Sequence, residues 1–356
     1  MPDITSQDSA SNDDVRRPLA GDELLPPVEE PNAGFILQLF VVPALIVLVI
    51  VAVWLMFNWL VYRTAMRPED LIQGLTQGPS VARWQRASEL ADMLRNERFA
   101  EFKRDPKAAA QLGRILDREI EGAGKGDGMA EGDVTLRYFL ARALGEFETN
   151  EGIDVLLKAA RTARDPAEQF VRHGALEAIA VRAHNLRELE PPRDLSHPEL
   201  EPTLFELASD DDPLIRSKTA YAIGRIGTPA AIERLEVMAD DPHADTRYNA
   251  AIALAHHGNA RAVDTLAEML DLEEPASVRE ETNLQDQSMK RAVIFSNALD
   301  GVEELAAEQP DADFSPIIES LEAVAAADDE ALARARIPSR LAEEGQRVLA
   351  ELKQSE

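Results

Sequence analysis

The chain has 356 residues, with 65 acidic against 37 basic side chains and a net charge of -28. That length exceeds one compact core, so we expect either two domains or one elongated repeat domain. The negative charge argues against nucleic-acid binding, which relies on clustered Lys and Arg. The sequence contains no cysteine, which excludes disulfides, zinc–thiolate sites, iron–sulfur clusters and thiol catalysis.

Two segments precede the main part of the chain. Residues 1–34 are rich in Asp, Glu, Ser and Pro, which predicts a disordered acidic tail. Residues 35–62 contain no charged side chain and are long enough to cross a bilayer, so they predict a transmembrane helix. A cleaved signal peptide fits less well, because its apolar region is shorter and follows positive charge. A buried core helix is the other alternative, but a domain this polar does not need so long an apolar run.

The residues at the end of this segment predict its anchors and its orientation. Trp54, Trp59 and Tyr62 lie towards its C-terminal end, where aromatic side chains favour the membrane interface. Arg63 and Arg67 follow directly, and the positive-inside tendency then predicts a cytoplasmic C-terminal domain. The opposite topology, with a periplasmic or lumenal domain, is the alternative, since the tail also contains two arginines.

After a predicted juxtamembrane linker at 63–80, the rest of the chain contains an internal repeat. Arg216–Met238 aligns with Arg247–Met269 at a constant offset of 31 residues. Further copies begin at Arg137 and Arg172, and weaker ones begin near Arg83 and Arg291. Apolar residues recur at i, i+3, i+4 and i+7, which predicts two short amphipathic helices per copy. One such helix pair buries too little surface to be stable, so the copies must stack.

The repeat unit itself is recognisable. Asp212–Gly227 has the pattern D-P-x-x-R-x-x-x-A-x-A-[IL]-G-x-x-G, which resembles the short HEAT repeats of the phycobilisome-lyase HEAT-like family. The resemblance implies an all-α fold, an α-solenoid in which HEAT-like helix pairs form a right-handed superhelix over 81–352. We expect the clearest repeats at 133–163, 165–209, 212–240 and 241–271, and a capping helix at 337–352.

The resemblance implies three functional classes: bilin-attaching lyases, deoxyhypusine hydroxylase and non-catalytic scaffolds. The di-iron site of the hydroxylase uses His-Glu dipeptides, but His173 is followed by Gly174 and no histidine in the sequence precedes a glutamate. His256 and His257 are adjacent, so on a helix they point about 100° apart, and we expect a structural role for them. The glycine run that starts at Gly122 lacks the spacing of a phosphate loop, which favours a linker between repeats. We therefore predict no catalytic, cofactor-binding or metal-binding residue.

Each of the four clearer copies begins with an arginine: Arg137, Arg172, Arg216 and Arg247. We expect an internal ladder, in which each guanidinium group pairs with an Asp or a carbonyl of the adjacent repeat. The alternative interpretation is an anion-binding column.

These observations favour a membrane-anchored HEAT-repeat scaffold over an enzyme. We expect its concave surface to bind another protein at the membrane, as an accessory subunit or assembly factor of a membrane complex, while residues 35–62 contact the lipid. The alternative is a chromophore-lyase type of enzyme or an accessory protein that handles a cofactor.

Overall fold

The computed structural model describes residues 33–64, 67–124, 131–163, 166–273 and 275–355. All regular secondary structure in these ranges is helical, which confirms the all-α prediction. The chain divides into two compact units, Met1–Ala65 and Met66–Glu356. The predicted acidic tail lies outside the described residues except for its last two positions.

The first unit contains one long helix, α1 (Ala33–Thr64), with Pro43 inside it. Its Phe40–Phe57 segment is long and apolar enough to cross a membrane, and none of that segment is buried within the protein. The side chain of Trp54 is 61% exposed, and Arg67, beyond the helix, is also exposed. The side chains of three other predicted anchors lie outside the described residues: Trp59, Tyr62 and Arg63.

The second unit begins earlier than the sequence predicted. Helix α2 (Pro68–Gly74) has proline at its first position, where the missing N–H is not needed. Leu71, Ile72 and Leu75 are buried in the same hydrophobic core as the repeats. The predicted linker at 63–80 is therefore wrong over these residues, because their apolar side chains pack against the first repeat.

Twelve of the remaining described helices form two series. We call the first series row A, and its members are α3 (Ser80–Leu94), α6 (Glu131–Gly145), α8 (Glu168–Arg187), α10 (Pro213–Ile226), α12 (Ala244–His256) and α15 (Leu284–Glu308). Row B contains α5 (Pro106–Gly124), α7 (Ile153–Arg161), α9 (Leu200–Leu207), α11 (Pro229–Met238), α13 (Val263–Leu270) and α16 (Ser315–Ala326). Short helices α4 (Ala100–Lys103), α14 (Ala276–Arg279) and α17 (Asp329–Arg334) lie between them, and α18 (Ser339–Ser355) packs on α16.

Each row A helix packs on the next row A helix. Row B helices α5, α7, α9, α11 and α13 pack against row A helices, and α16 packs on α13. The pairs α8–α9, α10–α11 and α12–α13 have bounds inside the predicted repeats 165–209, 212–240 and 241–271, whereas α6 of the pair α6–α7 begins at Glu131, before the predicted start at 133. Other boundaries differ from the sequence-based prediction. Helix α5 continues through Gly124, so the glycine run is not wholly a linker; the rest of the run, from residue 125 to 128, lies outside the described residues.

Local capping sets the start and end of these helices. The side chain of Asp212 accepts a hydrogen bond from the Leu214 N–H at 2.9 Å, and Pro213 opens α10. The same helix ends at Gly227, whose φ of 61° lies in the left-handed region that glycine adopts without strain. Thr228 then caps α11 through the Ala231 N–H.

Small residues allow row A helices to approach closely. A Cβ atom at Gly145 would lie 2.6 Å from the Cα of Ala178, and one at Gly224 would lie 2.5 Å from the Cβ of Ala253. Both glycines are therefore required by contact between neighbouring helices. This close approach gives row A a continuous surface, on which the candidate functional residues lie.

Candidate functional site

The first two predicted ladder arginines lie inside the stack. Arg137 donates to Glu168 at 2.9 Å, and both side chains are buried. Arg172 donates to the Ala160 carbonyl at 2.8 Å and also forms an ion pair with Asp210. Glu168, Ala160 and Asp210 all lie close to a boundary between the predicted repeats.

The other two ladder arginines are partly buried and use carboxylates as well. Arg216 donates to both carboxylate oxygens of Asp241, at 2.7 and 3.0 Å. Arg247 donates to the Asp241 carbonyl at 2.9 Å and to Glu268 at 2.6 Å. Burial alone would raise the pKa of Asp241, but the hydrogen bonds from Arg216 and the His243 N–H hold that pKa below its ordinary value. All four guanidinium groups bond within the protein, but both partners of Arg247, Asp241 and Glu268, lie in its own predicted repeat and not in an adjacent one. The ladder between repeats therefore stays a prediction.

Two further arginines, Arg182 and Arg187, bond to backbone carbonyls at helix ends. The sequence did not indicate this role for them. The side chain of Arg182 is fully buried and donates to the carbonyls of Leu144 and Glu151, at the end of α6 and just beyond it. Burial lowers the pKa of Arg182 to about 9, which still leaves the guanidinium protonated at neutral pH. Arg187 donates in the same way to the Ile226 carbonyl at the end of α10. The last carbonyls of a helix have no partner within the helix, and these arginines supply one.

The adjacent histidines His256 and His257 bond to different groups. The Nε2 atom of His257 lies 2.8 Å from the Gly224 carbonyl oxygen, so it donates to the end of α10. The Nδ1 atom of His256 lies 3.2 Å from Glu304, on α15. Among the described residues, no three histidine, aspartate or glutamate side chains are grouped as metal ligands.

The neighbourhood of His173 explains why a glycine follows it. A Cβ atom at Gly174 would lie 2.5 Å from the ring of Tyr138 on the preceding row A helix. A glutamate at position 174 would therefore displace Tyr138. Burial lowers the pKa of His173, so the imidazole is neutral at neutral pH.

Aromatic side chains form a cluster on the solvent-facing side of row A. Tyr138 stacks on Phe170 with ring centroids 4.2 Å apart, and it meets Phe139 edge-on at 5.2 Å. Trp84 of α3 stacks on Phe139 at 6.0 Å. Phe170 remains 49% exposed, so the cluster presents apolar surface to solvent. Trp84 and Tyr138 each directly follow the arginine that begins their copy, whereas Phe139 and Phe170 occupy other positions. The repeat pattern therefore does not indicate the cluster as a whole.

Three row A arginines lie over tyrosine rings: Arg142, Arg225 and Arg247. The guanidinium carbon of Arg142 is 5.8 Å from the centre of the Tyr138 ring, and that of Arg225 is 5.2 Å from the centre of the Tyr221 ring. Within the described parts of the chain, neither Arg142 nor Arg225 forms an ion pair with a carboxylate. Both side chains are half-buried.

Grooves in the same face lie beside these residues. A cavity of about 490 Å³ crosses row A between Tyr138 and Tyr221, with Ala178 and Val181 of α8 in its lining. A second, of about 210 Å³, lies beside Arg225. A third, of about 510 Å³, is lined in part by three apolar side chains that are exposed: Leu214, Met289 and Val293. Row A thus combines apolar surface, unpaired positive charge and indentations.

Comparison with known proteins agrees with the repeat pattern. Residues 177–246 match the family described as HEAT repeats, and residues 136–162 and 246–271 match the PBS lyase HEAT-like repeat. No curated protein matches the chain.

Similar solved structures include human deoxyhypusine hydroxylase in complex with glycerol, which is 17% identical, with a TM-score of 0.28. The alignment covers 81% of this chain and 96% of that one. An engineered protein is 14% identical, with a TM-score of 0.28, and the alignment covers 82% of this chain and 98% of that one. Neither likeness is close enough to support a functional argument.

Proposed function

We propose, from the premise that this chain is a HEAT-repeat protein, that it is a membrane-anchored scaffold whose row A face binds another protein. The observation that carries this proposal is the row A surface, where exposed apolar side chains line grooves across successive repeats. Leu214 and Met289, which are 41% and 61% exposed, line one groove, and Phe170, which is 49% exposed, belongs to the aromatic cluster. Contiguous apolar surface of this kind, bordered by polar residues, is typical of protein interaction sites.

Helix α1 supports the second part of the proposal. Its uncharged Phe40–Phe57 segment can cross a bilayer, and anchoring would raise the effective concentration of the repeat unit near partners in the same membrane. Arg63 and Arg67 follow the segment and favour a cytoplasmic repeat unit through the positive-inside tendency. An accessory subunit or assembly factor of a membrane complex fits both features.

Co-purification of the full chain from membranes in mild detergent tests this function. We expect a stoichiometric partner that is lost when Phe170→Asp and Met289→Asp are combined, because charge would enter the apolar contact. Val237→Asp is the matched control, since Val237 is 62% exposed on row B helix α11. Recovery of no stoichiometric partner, or equal recovery with all variants, would contradict the proposal. Covalent transfer of a bilin to an acceptor protein would favour the lyase alternative instead.

The orientation has its own test. Protease added to sealed right-side-out vesicles should leave the repeat unit intact if it is cytoplasmic. Complete digestion of the repeat unit in those vesicles, with an internal marker protein protected, would place it on the opposite side.

A further inference from the structure

The cavity of about 210 Å³ lies where three row A helices meet, and charged side chains of both signs line it. Helix α10 contributes Tyr221 and Arg225, whereas α15 contributes Asp300 and Glu304. Helix α12 lies between these two helices and packs on both. Neighbouring packed helices are about 8–10 Å apart, so the basic and the acidic side chains reach the cavity from opposite walls.

The guanidinium group of Arg225 provides the positive wall. Its central carbon lies 5.2 Å from the centre of the Tyr221 ring, which is four residues earlier on the same helix. Among the residues that the structure describes, no hydrogen bond or ion pair joins this guanidinium to another group of the protein. A guanidinium that lies over a ring still has N–H groups that can donate to a carboxylate.

The carboxylate of Asp300 provides the negative wall. In the described part of the chain this carboxylate forms no ion pair or hydrogen bond with another residue. Burial and the neighbouring carboxylates of Glu344 and Glu304 raise the pKa of Asp300 above its ordinary value. Glu304 differs from Asp300, because it lies 3.2 Å from the Nδ1 atom of His256. A cation beside Asp300 would therefore relieve a repulsion between carboxylates.

The space between the two walls is bordered by small side chains and by an amide. Gly224 lets α10 approach α12 closely, because a Cβ atom there would lie 2.5 Å from the Cβ of Ala253, and both residues line the cavity. Asn249 donates from Nδ2 to the carbonyl and the hydroxyl of Ser217, at 3.1 and 2.9 Å. The amide oxygen of Asn249 therefore remains an acceptor for a ligand.

A ligand with only one kind of charge fits these walls poorly. An anion could bond to Arg225 but would be repelled by Asp300 and Glu304, and a simple amine would leave Arg225 without a carboxylate. A molecule with both charges satisfies both walls. A sphere of 210 Å³ is about 7 Å across. In an extended lysine, six bonds or roughly 7 Å separate the carboxyl carbon from Nζ.

We propose that this cavity binds a zwitterionic ligand of the basic amino-acid type, supplied as a free amino acid or as the C-terminal residue of a peptide. The ligand carboxylate accepts hydrogen bonds from Arg225, and the side-chain ammonium donates to Asp300. The α-nitrogen donates to the amide oxygen of Asn249. This site goes beyond the proposed scaffold function, whose exposed apolar side chains lie elsewhere on row A.

Isothermal titration calorimetry of the full chain in detergent micelles, with L-lysine as the probe, tests the site. We expect lysine to bind, and norleucine and lysinamide to bind about tenfold or more weakly. Norleucine lacks the side-chain ammonium of lysine, and lysinamide lacks the carboxylate. A short alanine peptide that ends in lysine distinguishes the two sources of the ligand. Tighter binding of the peptide than of lysine assigns the site to a peptide C-terminus, and weaker or equal binding assigns it to the free amino acid.

Variants of the two walls should alter the ligand preference in different ways. Arg225→Gln should weaken lysine binding about tenfold and bind lysine and lysinamide equally, because the carboxylate has lost its partner. Asp300→Asn should bind lysine and norleucine equally, because the ammonium has lost its partner. Arg114→Gln and Asp264→Asn make the same charge changes at exposed positions of row B helices α5 and α13, and they should leave lysine binding unchanged. Circular dichroism checks that each variant remains folded.

Four results would overturn the inference. They are no binding of lysine or the peptide at about 10 mM, equal binding of lysine and norleucine by the wild type, equal weakening by the wall and row B variants, or equal weakening of all three ligands by each wall variant. Failure of lysine binding leaves the scaffold proposal standing, because the co-purification experiment tests that proposal through different side chains.

Discussion

Arginine side chains in this chain serve two different purposes, which depend on where each side chain ends. Arg216 ends against Asp241 inside the stack, whereas Arg142 ends over an aromatic ring at the surface. A partly buried guanidinium needs a partner for each of its N–H groups, and a carboxylate together with backbone carbonyls supplies them. The Arg142 side chain is also half-buried, but its guanidinium lies over the Tyr138 ring and not against a carboxylate.

The first residue-scale prediction concerns Arg216→Lys. Lysine retains the charge but cannot make both bonds to Asp241 and the bond to the Asp210 carbonyl, so we expect a loss of about 1–3 kcal/mol in the free energy of unfolding. Urea unfolding of the full chain in detergent micelles, followed by circular dichroism, measures this change.

Arg261→Lys is the matched control, because Arg261 donates to both oxygens of Asp240 while both side chains are exposed. We expect less than about 0.5 kcal/mol there, since solvent screens the pair. Equal losses at the two sites would contradict the view that burial makes the ladder contact stronger.

The second residue-scale prediction concerns acid. The pKa of Asp241 is lowered in the folded state from its ordinary 3.8, so its contribution to stability is present above that value and is lost as pH falls through the folded pKa. The wild type should therefore lose more stability between about pH 5 and pH 3 than Asp241→Asn, which cannot titrate. Urea midpoints across that range check the sign, and parallel pH profiles for the two proteins would disprove the linkage.

At the scale of helices, contact distance between row A neighbours determines which residues are tolerated. Gly145 ends α6 against the backbone of Ala178 in α8, and the backbone cannot move aside as a flexible side chain can. Helix propensity alone would favour alanine over glycine in a helix. The packing requirement opposes that preference.

We therefore predict that Gly145→Ala lowers the free energy of unfolding by about 1–3 kcal/mol, because α6 and α8 must separate. Gly122→Ala in α5 is the control, since a Cβ there would meet no atom within 4 Å. It should stabilise the protein by up to about 1 kcal/mol through helix propensity. Thermal and urea unfolding of both variants measure the opposite signs, and a stabilised Gly145→Ala protein would refute the close-packing account.

At the scale of the whole molecule, the unit formed by α1 has a different character from the repeat unit. Residues of the repeat core are buried, whereas the Phe40–Phe57 segment leaves apolar side chains such as Leu48 and Ile50 more than 60% exposed. An apolar helix of this length exposed to water is unfavourable, and lipid is the solvent that removes the cost.

Leu48→Lys combined with Val51→Lys should oppose membrane insertion. Each lysine near the centre of the helix costs about 2.5–3.5 kcal/mol. We expect the full chain to move from the carbonate-resistant membrane fraction to the soluble fraction, while Leu48→Ala/Val51→Ala stays with the membrane. Unchanged membrane retention of the lysine variant would show that α1 is not the anchor.

The sequence by itself determined the all-α repeat fold, because helix pairs with the same apolar spacing recur and their capping residues act locally. Asp212, Pro213 and Gly227 specify where α10 begins and ends through contacts within a few residues. Similarly local composition identified the apolar segment of α1. Such information lies within one helix, so it can be read along the chain.

Tertiary structure alone decided which side chains share a surface or a partner. Three examples involve residues from different helices. Arg137 contacts Glu168, Tyr138 stacks on Phe170, and Leu71 is buried against the repeats. Arg142 and Arg225 lie beside two separate cavities, and each cavity exists only because several row A helices stack in order. Periodicity predicts which face of a helix is apolar, but helix spacing and register determine what that face meets.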